Sequence, residues 1–421
     1  METGISMNRV VAELARGRLT RREAVKLLLA SGAAATLFPA LGRADEGTVG
    51  GIPLARPDKP VTLPTFQKPV ESGLKPESGG TFYIFNYDEY VDPKLMEAFG
   101  NKYGVKVVLN AFGDIDEAIT KLAAGTVDAD VTELTNNRIA QAVAGKLLQP
   151  INHDYIPNLK ANVWPALQDP YYDQGAQYTV PYTVYSTGLG WRGDLVSEDI
   201  AAMDNPWSIL WHAEKYKGNV GILSDSREAM VLPMLYRGKT DVNSEDPAVY
   251  AAALEDLMAL IPICNPKITS TGYQTLPDGN SKLHHIWSGQ MLAAAMYNAP
   301  EGFDTHKLRY WVAPKGKAPV QNDVWAVTAR SKKPVLAHLW LDFLLDNDNA
   351  YHNFVDYNGY QPPITSITAD RLVAEKLIPD TLHSALLSAD DFGPGTLQEG
   401  QLTPMGQKLV QESYAKFSSG A

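Results

Sequence analysis

The chain of 421 residues contains one cysteine, Cys264, so no internal disulfide can form and no cysteine-built zinc or iron–sulfur site can be assembled. Its eight histidines are scattered. His284 and His285 are adjacent, but neighbours on a helix or strand point in different directions, and no His-x-x-x-His spacing accompanies them. There is no Gly-x-Ser-x-Gly, no P-loop and no dinucleotide fingerprint, which disfavours nucleophilic hydrolysis, NTP chemistry and NAD chemistry. The apolar run at 27–42 is 16 residues long, short of the roughly 20 needed to cross a bilayer. Positive charge is in deficit: 37 Lys and Arg face 48 Asp and Glu, for a net charge of −11. That balance argues against nucleic acid and anionic membrane surfaces and suits a cationic ligand or plain solubility. The length suits two domains, and 45% hydrophobic with 20% charged residues is ordinary globular material.

The N-terminus reads as an address. Arg21-Arg22 precedes the apolar run, which ends at Gly42-Arg43-Ala44. A basic region, an apolar core and small residues at a cut site make a secretory signal over 1–44, twin-arginine-like in its paired arginines. Those residues carry seven Lys or Arg and three Asp or Glu, so their removal takes −11 to −15. Residues 45–79 are rich in Pro and Gly and read as a flexible or draped leader.

From Gly80 strands and helices alternate: strand 81–86, helix 92–103, strand 105–111, helix 115–124, strand 129–134, helix 137–145. This is the pattern of an α/β domain on a largely parallel sheet. Asp92-Pro93 marks a helix start, and Gly104 its stop. "YTVPYTVYSTGLGWRGDLV" (178–196) reads as an extended crossover into a second unit. Further helix is expected at 246–261 and 280–297, and a strand at 323–331 before a helix at 334–346.

The remaining chemistry is acids and aromatics at strand ends, where open α/β sheets bind ligands. "FYIFNYDEY" ends on Tyr87, Asp88, Glu89 and Tyr90. "ILSDSREA" puts Asp225 and Glu228 three apart at a helix start, where Ser224 or Asp225 can also cap the helix with Glu228 closing a capping box. Trp287 and Gln290 stand where an apolar stretch turns into helix, Asp323 opens a strand, and Tyr360 lies in a tight loop. Tyr171-Tyr172 reads as a surface or packing pair in preference to a ferric-iron site. Arg227 is the one basic residue in these segments and is expected to face solvent.

In their order and spacing these segments resemble the periplasmic substrate-binding proteins of polyamine (spermidine/putrescine) ABC transporters. "FYIFNYDEYVDP", "VPYTVYSTGLGWRGD", "GNVGILSDSREAM", "IWSGQ", "DVWAVTARSKKPVLAHLWLDFLL" and "GYQPP" each match a family segment between about Gly80 and Ser366. The resemblance implies a two-lobed periplasmic-binding-protein fold (type II), each lobe an α/β sheet flanked by helices, with the ligand in the interdomain cleft. Lobe 1 would be 80–184 continued by 321–367, and lobe 2 would be 185–320 continued by 368–421. It implies aromatic walls from Tyr87 and Tyr90, an acidic floor from Glu89 with Asp88, and Asp225 and Glu228 holding one ligand end. Trp287 would stack on methylenes, Asp323 would pair with another ammonium, and Tyr360 and Thr135 would add polar contacts. Asn137, Gln290 and Gln321 depart from the family's usual residues there, and Tyr87 replaces a Trp. The function implied is capture of a polyamine or similar cationic amine and delivery to an inner-membrane ABC permease, by a periplasmic monomer with no cofactor, no metal and no catalysis. The same fold holding an anion or ferric complex, or an enzyme on this scaffold, are the alternatives.

Overall fold

The computed structural model describes residues 47–420, so the export-signal reading of 1–44 lies outside the described residues. Local chemistry sets the first elements as expected. Asp92 accepts a hydrogen bond from Lys94 N at 2.8 Å, Pro93 opens the helix Pro93–Tyr103, and Gly104 closes it with φ 67°. Asp114 caps the next helix, Ile115–Ala124, through Glu117 N, and Gly125 ends it at φ 62°.

The strands are β1 (Thr48–Val49), β2 (Ile52–Pro53), β3 (Thr81–Tyr87), β4 (Lys106–Phe112), β5 (Val131–Thr135), β6 (Thr179–Arg192), β7 (Val220–Ile222), β8 (Lys267–Ile268), β9 (Leu283–Trp287), β10 (Leu308–Trp311) and β11 (Val320–Val327). β1 and β2 form a small hairpin, and the rest form one sheet in the order β4-β3-β5-β11-β6-β9-β7-β8, with β10 beside β6. β3 runs parallel to β4 and β5, and β7 parallel to β8 and β9. β11 is antiparallel to both β5 and β6, and β6 is antiparallel to β9 and β10. The sheet is therefore mixed, and the expectation of a largely parallel sheet holds only within each lobe's outer strands. The central strands return or cross over, which reverses their direction.

β6 is the shared element of the two lobes, and all fourteen of its residues are buried. Its first half pairs with β11 and its second half with β9 and β10. The register shifts where Asp323 faces Thr183 and Val324 faces Pro181, leaving Tyr182 as the extra residue. Pro181 lacks an N–H, so a bulge is where it does least harm. Gly188 follows at the crossing point because a Cβ there would collide with the Trp311 carbonyl and the Tyr310 ring.

Two expectations need correction. Residues 280–297 are not continuous helix: Leu283–Trp287 is a strand, and helix runs only over Ser288–Met296. Of the flexible or draped readings of the leader, the draped one holds over 47–63 and the flexible one needs correcting. Val49, Ile52, Ala55, Val61 and Leu63 are buried in one core cluster with Phe85, Phe112 and Ile119 of the first lobe. Burying several aliphatic side chains at about 1.5–3 kcal/mol each fixes such a segment. The main cores lie on either side of the crossover. One is built on Phe82, Phe99, Trp325 and Trp340, the other on Trp207, Trp211, Tyr250 and Phe417. The C-terminal helix Pro404–Gly420 packs on the second lobe's helices Ser226–Tyr236 and Pro247–Cys264.

Candidate functional site

A cleft of about 1380 Å³ opens between the lobes, at the carboxyl ends of β3, β5 and β9. Tyr87, Asp88, Glu89, Tyr90, Thr135, Asn137, Asp225, Glu228, Trp287, Gln290, Asp323 and Tyr360 all line it. They do not all stand at the same depth.

β3 ends at Tyr87, and the chain turns at once. Asp88 accepts from Glu89 N at 3.1 Å, and Glu89 takes φ 55°. The turn leaves Asp88 and Glu89 exposed and Tyr90 buried. The two acids are therefore a rim, not the acidic floor that the resemblance implied. The floor is Asp323, 5% exposed. Tyr90 Oη donates to its Oδ2 at 2.6 Å, Thr183 Oγ1 to the same atom at 3.2 Å, and Tyr185 Oη approaches Oδ1 at 3.5 Å. Burial still outweighs these three hydroxyls and pushes the Asp323 carboxyl up to about 6. Burial also raises the phenols of Tyr90, Tyr185 and Tyr360 well above their usual range, so they stay neutral donors.

The opposite wall comes from the second lobe. Asp225 caps the helix Ser226–Tyr236, accepting from Arg227 N at 2.8 Å and Glu228 N at 2.9 Å. The expected cap is there, but Glu228 does not close a capping box. It turns into the cleft wall, where Oε1 accepts from Thr187 Oγ1 and from Trp287 Nε1, both at 2.8 Å. Its Oε2 is buried with no partner among the described residues. Burial first, then the Asp225 carboxylate, pushes Glu228 up to about 7. Gln290 donates to Ser270 O at 2.6 Å, and Thr135 donates to Asn137 at 2.8 Å.

Aromatic rings join the two acids. Tyr87 meets Tyr90 at 6.0 Å between centroids, Tyr90 meets Tyr360 at 5.2 Å, Tyr360 meets Tyr185 at 6.1 Å, and Tyr185 meets Trp287 at 6.0 Å, all edge to face. Tyr185 is the link that sequence reasoning missed. It lies in the quoted crossover "VPYTVYSTG", and alternation along β6 puts it on the same face as Thr183 and Thr187. Glu399 was also missed. It is 2% exposed, lines the cleft, and is raised by burial and by Glu228.

Nine acids and three bases line the cleft. Each base already has a partner. Lys121 pairs with Glu117 at 2.6 Å and Arg138 with Asp116 at 2.9 Å. Arg227 is not at the solvent surface as expected. It is 7% exposed, donates to Val242 O and Asn243 Oδ1, and lies 3.9 Å from Glu399. Such a cleft suits a cation better than an anion. The Tyr171-Tyr172 pair packs edge to face away from the cleft lining, with Tyr172 accepting from Asn322 at 2.6 Å. His284 and His285 lie on β9, held neutral by burial at about 4 and about 3.

Comparison with known proteins gives this geometry its relatives. The spermidine/putrescine-binding periplasmic protein of Escherichia coli (strain K12) is 25% identical over 354 residues, covering 83% of this chain and 94% of that protein. A putrescine/cadaverine-binding protein of Pseudomonas aeruginosa is 27% identical over 272 residues, or 64% of this chain and 75% of that one. Among solved structures, the spermidine/putrescine ABC transporter substrate-binding protein of Streptococcus pneumoniae superposes with TM-score 0.62 at 21% identity, covering 81% of this chain and 99% of that one. A ferric binding protein from Campylobacter jejuni superposes at 0.55 with 17% identity, 81% and 99% covered. The shared fold is the two-lobed periplasmic-binding-protein fold and does not by itself choose a ligand. Residues 94–379 match the bacterial extracellular solute-binding protein family, and the chain is a member of that family.

Proposed function

We propose that this protein is the periplasmic solute-binding component of an ABC importer, and that it captures a polyamine or a related cationic amine by closing its lobes on it. The observation that carries the reading is the run of aromatic rings from Tyr87 to Trp287, with buried carboxylates at Asp323 and Glu228. A polyamine alternates ammonium groups with methylenes. Each ammonium loses water on entry and needs acceptors or negative charge in its place. Asp323 and Glu228 supply that charge, with Asp225 and Glu399 behind Glu228. Tyr87, Tyr90, Tyr185, Trp287 and Tyr360 cover the methylenes and attract the cations, at about 0.5–2 kcal/mol per ring. Thr135, Asn137 and Gln290 add polar contacts, and Asp88 and Glu89 draw the ligand in from the rim. The cleft's bases are all paired, which leaves an anionic solute without a free positive partner among the described residues.

For closure we keep the division into 80–184 with 321–367 and 185–320 with 368–421, hinged on β6 and β11. The ligand favours the closed form only by its preference for that form. The closed monomer then delivers the amine to an inner-membrane permease, as a carrier and not as a catalyst. Residues 1–44 act as the twin-arginine-like export signal. Titration calorimetry of the mature chain with putrescine, spermidine, a dicarboxylate and a neutral diol tests the reading. Binding confined to the amines is expected, and failure of every amine to bind overturns it.

A further inference from the structure

Glu133 is a carboxyl group that the cleft does not use. It lies in the middle of β5, in the run Val131-Thr132-Glu133-Leu134-Thr135, on the sheet face that carries Val131 into the first lobe's core. It is fully buried, and neither carboxyl oxygen has a partner among the described residues. An ionised carboxylate cannot be held there unpaired, so in the empty protein it is neutral. Burial, and then the Asp323 carboxylate, favour the same protonated form.

Its neighbours are informative. On β11, Trp325 lies directly opposite Glu133, and Asp323 opposite Thr135, so Glu133 and Asp323 are diagonal neighbours on one face. On the other side, continuing the parallel register of β3 and β5 one residue beyond the pair Phe85 and Thr132 sets Asn86 beside Glu133. Asn86 Nδ2 and Trp325 Nε1 are both buried donors with no acceptor among the described residues. The strands on either side of Glu133 thus each bring a residue with an unpaired N–H donor beside an acid with two unpaired oxygens, although neither donor bonds it in this structure. The other titratable groups that bear on Glu133 are the phenols of Tyr87, Tyr90 and Tyr182, all buried and neutral.

We propose that Glu133 is a reserve acid beneath the amine site: neutral while the cleft is empty, ionised when a cation rests on Asp323. The inference rests on the amine-binding reading. The bond that breaks is the Glu133 O–H, and its proton leaves to solvent as the cation enters. The floor exchanges one positive charge for another, and its net charge is unchanged. Asn86 and Trp325, on the neighbouring strands, are the donors available to the new carboxylate, which attracts an N–H more strongly than the neutral acid does. Glu133 does not touch the ligand in this scheme. It is a positioning residue that acts through Asp323.

Calorimetry of spermidine binding at pH 7.5, in two buffers of different ionisation enthalpy, counts the protons released. The wild type is expected to release up to about one proton more than Glu133→Gln, which keeps the shape and removes the titration. Infrared difference spectra of the wild type at pH 8.5, where Glu228 is already ionised, give a second readout. The carbonyl band of a protonated carboxyl should fade on ligand addition, which remains measurable even if the variant folds poorly. Equal proton release by both proteins, or an unchanged carboxyl band with spermidine bound, overturns this inference and leaves the amine reading intact. No amine binding by the wild type overturns that reading, and this inference with it.

Discussion

Glu228→Gln should weaken binding and strengthen the fold, and the two effects have separate origins. Glu228 is 4% exposed, and its carboxyl is pushed from 4.5 up to about 7. A group whose folded-state value lies above its unfolded value destabilises the fold as pH rises through that interval. Nothing is lost below about 4.5, and the full cost is reached above about 7. That cost is roughly 3 kcal/mol, at 1.36 kcal/mol per tenfold change in proton affinity. The amide introduced by the substitution cannot ionise, and its carbonyl oxygen can still accept from Trp287 and Thr187. The variant should therefore be more stable than wild type by up to about 3 kcal/mol at pH 8 and equal to it at pH 4.5, read by urea denaturation at both pH values. With the ligand the sign reverses. Removing one partner of a buried charge pair costs about 2–5 kcal/mol, so amine affinity at pH 8 should fall between about 30-fold and several thousand-fold. A variant as stable as wild type at pH 8, with undiminished affinity, would refute the claim that Glu228 is a strained acid kept for a cation.

In Glu133→Gln, affinity for an amine should fall by about 100-fold between pH 7.5 and 5.5, because both Asp323 and Glu228 must be ionised to hold it, with values of about 6 and about 7; in the wild type the proton given up by Glu133 should add up to about 100-fold more. Calorimetry across that range measures it, and a flat profile would count against both acids. Tyr185→Phe should cost under about tenfold in affinity, the worth of one hydroxyl contact. Tyr185→Ala should cost about 10- to 100-fold, because it also removes the ring between Tyr360 and Trp287. Equal effects of the two changes would place the ring outside the ligand's path. Cys264 is buried, and burial pushes its thiol up to about 11. It should resist a thiol reagent at pH 8 until denaturant is added, and prompt labelling of the native protein would contradict this burial.

Much of this architecture is legible along the chain, because local signals and tertiary outcome agree. Asp92, Pro93 and Gly104 bracket a helix by hydrogen bonding and backbone conformation alone, and the segment at 178–196, with its Thr and Val residues, reads as extended chain, which it is over Thr179–Arg192. The error at Leu283–Trp287 has a physical source. A short apolar run carries no period that separates a buried strand from a buried helix, so the stretch before Trp287 reads as one with the helix that follows at Ser288. The depth of each site residue was not legible either. Asp88 and Asp323 look alike in sequence, and only the turn at Glu89 and the hydroxyls of Tyr90 and Thr183 make one a rim and the other a floor. Glu133, Glu399 and Arg227 were missed or misread because their surroundings come from segments distant in sequence, such as Asn243 and the stretch 396–401.

The alternation along β6 has a consequence for ligand size. Thr183 and Tyr185 hold Asp323, and Thr187 holds Glu228. The two acids are thus anchored to positions four residues apart on one strand face, about 13 Å at 3.3 Å per residue. That strand acts as a ruler shared by both halves of the molecule. The spacing of these two threonine anchors is written into the backbone of the crossover strand, and an amine much too short to bridge the acids would satisfy only one at a time.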